Sequence, residues 1–274
     1  MSADAARLGD LIAGPDCIAA PGVFDGFSAR IAARAGFRVL HASGGAIARA
    51  VGQPDLGLVT MTEMLGRMSE IVEAAGLPVF ADADTGFGDA RNAARAARLY
   101  RAAGLAGLHV EDQTFPKRCG QMAGVALVPA AEMVEKIAAM RDAVGPDLVL
   151  AGRTDAVAVE GLGAAIERMG AYLAAGADMA FVEGIDTLDQ VAAIGAAFPG
   201  VPTVFNQARA SEGGVVPIAD LARHGVRLAI YPGDLQRGAA AAMQRVVEAI
   251  LRTGSTETVA SDMLTNAARD AYFD

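Results

Sequence analysis

Residues 77–112, LPVFADADTGFGDARNAARAARLYRAAGLAGLHVED, contain one complete strand–helix–strand unit. LPVFADAD (77–84) begins apolar and ends acidic, as a strand does when it runs from a core to a polar rim. The stretch that follows, ARNAARAARLYRAAG, repeats its Ala and Leu positions at spacings of three and four. That is the helical period, and the closing glycine reads as a C-cap. AGLHVED (106–112) then repeats the apolar-to-acidic strand pattern. Two strands joined through a helix run parallel, because the helix returns the chain to its starting end.

The same unit recurs outward in both directions. Further strands are read near CIAAPGV (17–23), RVLHASG (38–44), LVLAGRTD (148–155), DMAFVEG (178–184), PTVFNQ (202–207) and RLAIYP (227–232). Helical patterns such as AAEMVEKIAAMRDAVG and AAIERMGAYLAAGADM lie between them, with their Met residues read as core filling. Eight such units predict a single (β/α)8 TIM-type barrel. An open doubly wound sheet is the alternative, but GVFDGF after the first strand lacks the glycine spacing of a phosphate loop. No long linker or composition break divides residues 1–274, so one domain with a C-terminal helical extension is expected.

Composition narrows the function classes. The 274 residues are 53% hydrophobic, enough for a large core, yet no apolar run approaches the ~20 residues of a membrane span. The formal net charge is −9 and Lys and Arg are not densely clustered, which argues against a nucleic-acid or anionic-membrane partner. MSADAARLGD lacks the basic start and apolar stretch of a signal peptide, so a cytoplasmic location is expected. Cys17 and Cys119 are too few for a disulfide framework. Cys17 sits among apolar neighbours and reads as structural.

The chemistry gathers at the strand ends. Asp82, Asp84, His109, Glu111, Arg153, Glu183 and Asn206 each fall toward the C-terminal end of an expected strand, where a barrel of this type carries its active site. Period-two alternation would put Asp82 and Asp84 on one face, and likewise His109 and Glu111. Asp82 and Asp84 beside Glu111 offer carboxylates to a hard divalent cation such as Mg2+, which takes a few carboxylates and several waters. Helix capping or ion pairing is the plainer reading of a bare Asp-x-Asp pair, but Glu111 and Arg153 at the same rim turn the reading toward a metal. Arg153 suits bidentate capture of an anionic carboxylate, or an ion pair with Asp155 or Glu183. Ser43-Gly44-Gly45 could present backbone N–H groups to an anion. Cys119 follows Lys117-Arg118 and precedes Gly120 in the loop after the fourth strand, where two cations would favour a reactive thiolate. With only three histidines, widely scattered, there is no zinc pattern, so His109 is expected to orient Glu111 or a bound oxygen.

These segments together resemble the isocitrate lyase/phosphoenolpyruvate mutase superfamily over nearly the whole chain. The resemblance is carried by PGVFDGFSARIAARAGF, SGG (43–45), QPDLG (53–57), ADADTGFG (81–88), HVEDQTFPKRCG (109–120), GRTDA (152–156), EG (183–184) and YP (231–232). It implies a (β/α)8 barrel acting on small α-oxo or α-hydroxy carboxylates with Mg2+, or Mn2+ in its place, held by Asp82, Asp84 and Asp55. It also implies a homotetramer that exchanges a C-terminal helix between subunits. KRCG is similar to the carbon–carbon lyases, with Cys119 as general acid and Lys117, Arg118, Glu111 and His109 in the catalytic set. Ser43, Gly44, Gly45, Gly120, Gln121, Arg153, Glu183, Asn206 and Arg237 fall at substrate-binding positions of the methylisocitrate-lyase branch. The lyases' Cys-Gly-His is Cys119-Gly120-Gln121 here, the 207–216 segment is longer by about three residues, and Asn266 stands where that branch has an arginine. These departures admit an oxaloacetate hydrolase or decarboxylase as an alternative activity, with Arg209 as another candidate clamp.

Overall fold

Eight short parallel strands close on themselves in the computed structural model, which describes residues 2–120, 124–207 and 216–274. The strands are β1 (Ile18–Val23), β2 (Leu40–Ala42), β3 (Val79–Asp82), β4 (Gly107–Glu111), β5 (Val149–Thr154), β6 (Met179–Val182), β7 (Thr203–Asn206) and β8 (Val226–Tyr231). Each pairs with the next in sequence, and β8 returns to β1 with Ile18 opposite Leu228. The expected (β/α)8 barrel is therefore observed. The register already arranges the polar rim: Asp82 on β3 lies opposite His109 on β4, and Glu111 on β4 lies opposite Arg153 on β5.

The helices are α1 (Ala3–Ala13), α2 (Gly26–Arg34), α3 (Gly44–Ala50), α4 (Met61–Ala75), α5 (Ala90–Ala102) and α6 (Ala130–Val144), then α7 (Val157–Glu160), α8 (Leu162–Ala174), α9 (Leu188–Ala197), α10 (Ile218–Arg223), α11 (Asp234–Thr253) and α12 (Asn266–Asp270). Their starts follow local chemistry. Asp25, Thr60, Asp89 and Thr187 each accept a hydrogen bond from a backbone N–H in the first turn, and each forms a reciprocal capping box. A cap of this kind typically contributes ~1 kcal/mol.

Two apolar cores result. One lies inside the barrel, where Ile18, Ala20, Phe80, Ala151, Phe181 and Leu228 pack with Leu8 and Ile12 of α1. The sequence pattern assigned no element to residues 3–13; α1 brings Leu8 against Gly107 at the start of β4, where a side chain would collide with it. The second core fills the space between strands and outer helices, and includes the buried Met64, Met68, Met133 and Met140. The polar residues are left at the opposite end of the strands from α1.

Some boundaries differ from the sequence reading. β2 stops at Ala42 because Ser43 is already the N-cap of α3. β3 stops at Asp82, so Asp84 is a turn residue. Among the described residues, no helix is long and apolar enough to cross a membrane.

Candidate active site

Asp82 and Asp84 are both buried, but period-two alternation does not bring them together. Asp84 has φ 45°, a left-handed conformation that turns the chain sharply after the strand. Its N–H donates to Asp82 Oδ1 at 2.9 Å, and its carbonyl accepts from the Glu111 N–H at 2.9 Å. The turn is thus fastened to both neighbours. Burial opposes ionisation of Asp82, but His109, Lys117, Arg153 and the Asp84 N–H outweigh it and hold the carboxyl below its usual range. Burial pushes Asp84 the other way, to about 6, with Asp82 and Asp55 adding to the effect against the pull of Lys117.

Lys117 corrects the expectation built on KRCG. Its Nζ lies 2.6 Å from Asp55 Oδ1 and 2.8 Å from Asp84 Oδ1, so its charge is committed to two carboxylates. Burial alone would discharge it, but Asp84, Glu111, Asp82 and Asp55 keep it an ammonium. Arg118 is exposed and does not line the cavity. Its N–H donates to Gln113 Oε1 and its carbonyl accepts from Gln113 Nε2, both at 2.9 Å. Lys117 through its ammonium and Arg118 through its backbone N–H and carbonyl therefore brace the loop that carries Cys119.

His109 does not orient Glu111 either. His109 Nε2 faces His41 Nε2 at 3.2 Å, and His109 Nδ1 lies 3.8 Å from Asp82 Oδ1. Burial pushes His109 down to about 3 and His41 to about 4, so both rings are neutral at neutral pH. Glu111 instead lies 3.2 Å from Arg153 Nη1. Burial raises its carboxyl well above the usual range despite Arg153 and Lys117. Arg153 is clasped by Asp155, with Nε to Oδ2 at 3.0 Å and Nη2 to Oδ1 at 2.8 Å, and its guanidinium lies over the Phe181 ring. Asn206 Nδ2 donates to both oxygens of Glu183 at 3.1 Å.

A cavity of about 280 Å³ opens at this end of the barrel. Its wall brings together Ser43, Gly45, Asp55, Asp82, His109, Lys117, Cys119, Gly120, Arg153, Glu183, Asn206 and Arg237. Gly44, Asp84 and Glu111 stand behind the wall: a side chain at Gly44 would strike Asp82, while Asp84 and Glu111 meet Lys117 and Arg153. His41, Arg49, Asp234 and Gln236 also line the cavity, which sequence reasoning missed. Arg49 lies on α3, six residues beyond Ser43, and Asp234 and Gln236 open α11 beside Arg237. Helical proximity to an expected site residue was the available signal. Gln121 and Arg209 lie outside the described residues, as does most of the 207–216 segment, and Asn266 is exposed at the start of α12.

The donor set fits a hard cation. Among the described residues, Asp55, Asp82, Asp84, Glu111, Asp155 and Glu183 are buried around the cations Lys117 and Arg153, while a third buried cation, Lys136, donates to the Thr85 carbonyl at 3.4 Å. Glu111 Oε1 has no hydrogen-bond partner, and Glu111 Oε2 and Asp84 Oδ1 meet only the ion pairs to Arg153 and Lys117. Among the described residues no three His, Cys, Asp or Glu side chains form a ready-made ligand set. Oxygen donors in this arrangement suit a metal that keeps most of its waters, as Mg2+ does, and not zinc.

The model of the phosphoenolpyruvate phosphomutase family matches residues 8–251. The chain belongs to this family. It is 41% identical over 266 residues to 2,3-dimethylmalate lyase of Eubacterium barkeri, covering 95% of this chain and 91% of that one. Against 2-methylisocitrate lyase of Bacillus subtilis (strain 168) it is 39% identical over 261 residues, with 95% and 86% covered. Likeness of this extent makes the chain a carbon–carbon lyase of the phosphoenolpyruvate mutase/isocitrate lyase superfamily. Among solved structures, a 2,3-dimethylmalate lyase superposes with a TM-score of 0.91 at 34% identity, covering 99% of this chain and 92% of that one. An oxaloacetate acetylhydrolase bound to 3,3-difluorooxalacetate gives 0.91 at 31%, covering 98% and 92%. A phosphonopyruvate hydrolase in complex with oxalate and Mg2+ gives 0.89 at 28%, covering 99% and 95%.

Proposed function

We propose that this lyase is Mg2+-dependent and cleaves a small 2-hydroxy di- or tricarboxylate, of the 2,3-dimethylmalate or 2-methylisocitrate kind, to pyruvate or glyoxylate and a second carboxylate. The observation that carries the reading is a single cavity bordered by Asp82, Arg153, Ser43, Gly45 and Cys119, with Asp84 behind it. Mn2+ would serve in place of Mg2+. We further propose that residues 1–274 act as one domain, in the cytoplasm and as a homo-oligomer.

Asp82 and Asp84 would hold the metal, largely through waters, while Asp55 acts on the site through Lys117. When bound, the metal supplies Lewis-acid polarisation of the substrate's 2-oxygen. Ser43, Gly44 and Gly45 present donors to the neighbouring carboxylate, and Arg153 grips it by charge and hydrogen bonding. A general base accepts the hydroxyl proton, the C–O bond becomes a carbonyl and the adjacent carbon–carbon bond breaks. Its electron pair moves onto the carbon next to the departing carboxylate, giving an enolate-like dianion. Cys119 Sγ, on the same cavity wall, then gives that carbon a proton. Glu183 with Asn206, and Arg237, face the remainder of the substrate.

Product analysis tests this reading. Pyruvate with propionate from 2,3-dimethylmalate, or with succinate from 2-methylisocitrate, marks the lyase, and Cys119→Ser should abolish it without unfolding the chain. Full activity in Cys119→Ser would sink the proposed acid. A second reading, an oxaloacetate hydrolase, is favoured by the likeness to oxaloacetate acetylhydrolase and by Gln121 in place of histidine. Oxalate with acetate from oxaloacetate would mark that activity.

A further inference from the structure

HVED has two faces. Glu111 faces Arg153, whereas Asp112, one residue on, reaches α8 outside the barrel and is fully buried. Asp112 Oδ2 accepts from the Thr154 hydroxyl and the Tyr172 hydroxyl, both at 2.7 Å, and Oδ1 accepts from the Asp155 N–H at 3.0 Å. Arg168 Nη1 lies 3.6 Å away, while Arg168 Nε and Nη2 each donate to Glu160 at 2.7 Å. Burial pushes the Asp112 carboxyl above its ordinary range, against the Asp155 N–H, Thr154 and Tyr172. A buried carboxylate is costly unless its lone pairs are satisfied, and here donors from three residues converge on it.

Two of these bonds end on the residues that follow Arg153. Asp155, fixed by its N–H, turns its side chain inward and clasps the Arg153 guanidinium at two points. The Asp112 carbonyl accepts from the Val128 N–H at 2.9 Å, where the loop carrying Cys119 rejoins the body of the protein. The adjacent Gln113 holds both peptide groups of Arg118. Asp112 and Gln113 together therefore stand behind both the arginine and the cysteine loop.

We infer that Asp112 is a positioning residue: it does not line the cavity, and it fixes the direction of the Arg153 guanidinium through Asp155. This rests on the reading of Arg153 as the carboxylate grip. Oxalate binding in the presence of Mg2+, measured calorimetrically, reports that grip without turnover. Asp112→Asn keeps one acceptor oxygen where the carboxylate has two. It should weaken oxalate about 10- to 100-fold and raise KM more than it lowers kcat, while binding of Mg2+ alone stays unchanged. Tyr172→Phe removes a single donor and should move oxalate affinity and KM in the same direction by less. A merely structural Asp112 would lower the melting temperature and leave both readouts at wild-type values, which overturns the inference. If Asp112→Asn does not fold, Tyr172→Phe decides by the same readouts. A wild-type protein that does not bind oxalate overturns the carboxylate grip itself, before any variant is compared.

Discussion

Cys17 and Cys119 hold the same functional group in opposite settings, one buried beside β1 and the other on the cavity wall. Burial pushes the Cys17 thiol from 9.0 to about 11, against Arg227 and a hydrogen bond to the Ala229 backbone. The native state therefore favours the neutral thiol, and the unfolded chain ionises first. Its stabilising share is complete below about pH 9 and fades as the pH rises through about 11. Denaturant midpoints should fall over that window, and fall less in Cys17→Val; equal falls would contradict the assignment. At pH 8 a thiol reagent should modify Cys119 quickly and Cys17 only after unfolding. Lys117 gives a second prediction. Lys117→Ala leaves Asp55 and Asp84 buried without their shared cation, at a cost on the order of 3–5 kcal/mol. A thermal melt unchanged from wild type would refute this. The apolar neighbours of Cys17 made its role legible in the sequence. Lys117 was misread because its partner Asp55 lies 62 residues away, and adjacency to Cys119 was the only visible relation.

At the scale of elements, the barrel was readable because every unit repeats the same period-two to period-3.6 switch, and helix and strand terminations are local events. Convergence of strand ends on one rim follows from that topology, so Asp82, His109, Arg153, Glu183 and Asn206 reach one cavity, whereas Asp55 and Arg237 were legible only through the family resemblance. What local pattern could not give is how closely loops lie on side chains from other strands. The β2–α3 turn shows it: a Cβ on Gly44 would come within 2.7 Å of Asp82 Oδ2 and 2.9 Å of its Cγ. The Gly120 α-carbon likewise lies against Asp155, Arg153 and Glu183, with only 2.6 Å from an added Cβ to Arg153 Nη2. These glycines are needed for close approach, since neither has a left-handed φ. The carboxylate of Asp82 is tied to the Asp84 N–H and cannot swing away freely. Gly44→Ala should therefore weaken Mg2+ binding and lower kcat/KM, while circular dichroism remains native. Wild-type Mg2+ affinity in Gly44→Ala would show that Asp82 has room the geometry denies it. The Asp112 hub escaped the sequence for a related reason: Thr154 and Tyr172 come from separate elements, and nothing in HVED names them.

At the scale of the molecule, α11 joins two regions. Its first turn carries Asp234, Gln236 and Arg237 onto the cavity wall, and Gln236 Nε2 donates to the Ala46 carbonyl of α3 at 2.7 Å. Further along, Met243, Val247, Ile250 and Leu251 recur at helical spacing and are exposed, Leu251 at 87%. The chain's own C-terminus does not pack there by its aromatic residues: Tyr272 and Phe273 instead pack on Phe27 of α2, with centroids 5.8 and 5.7 Å away. An apolar stripe of this length at the surface is where the proposed homo-oligomer would make its contact with another chain. A second copy is the occupant expected of a homo-oligomer. Light scattering should then give a multiple of the single-chain mass, and Val247→Glu with Leu251→Glu should reduce it, since carboxylates cannot be buried unpaired in an apolar contact. The barrel has its own two cores, so its melting temperature should change much less than its assembly. The kinetic consequence is specific. Loosening α11 disturbs Arg237 and the tie to α3 but not Asp82, Asp84 or Cys119, so KM should rise more than kcat falls. A disassembled double variant with wild-type KM would separate assembly from the cavity and leave α11 as two independent halves.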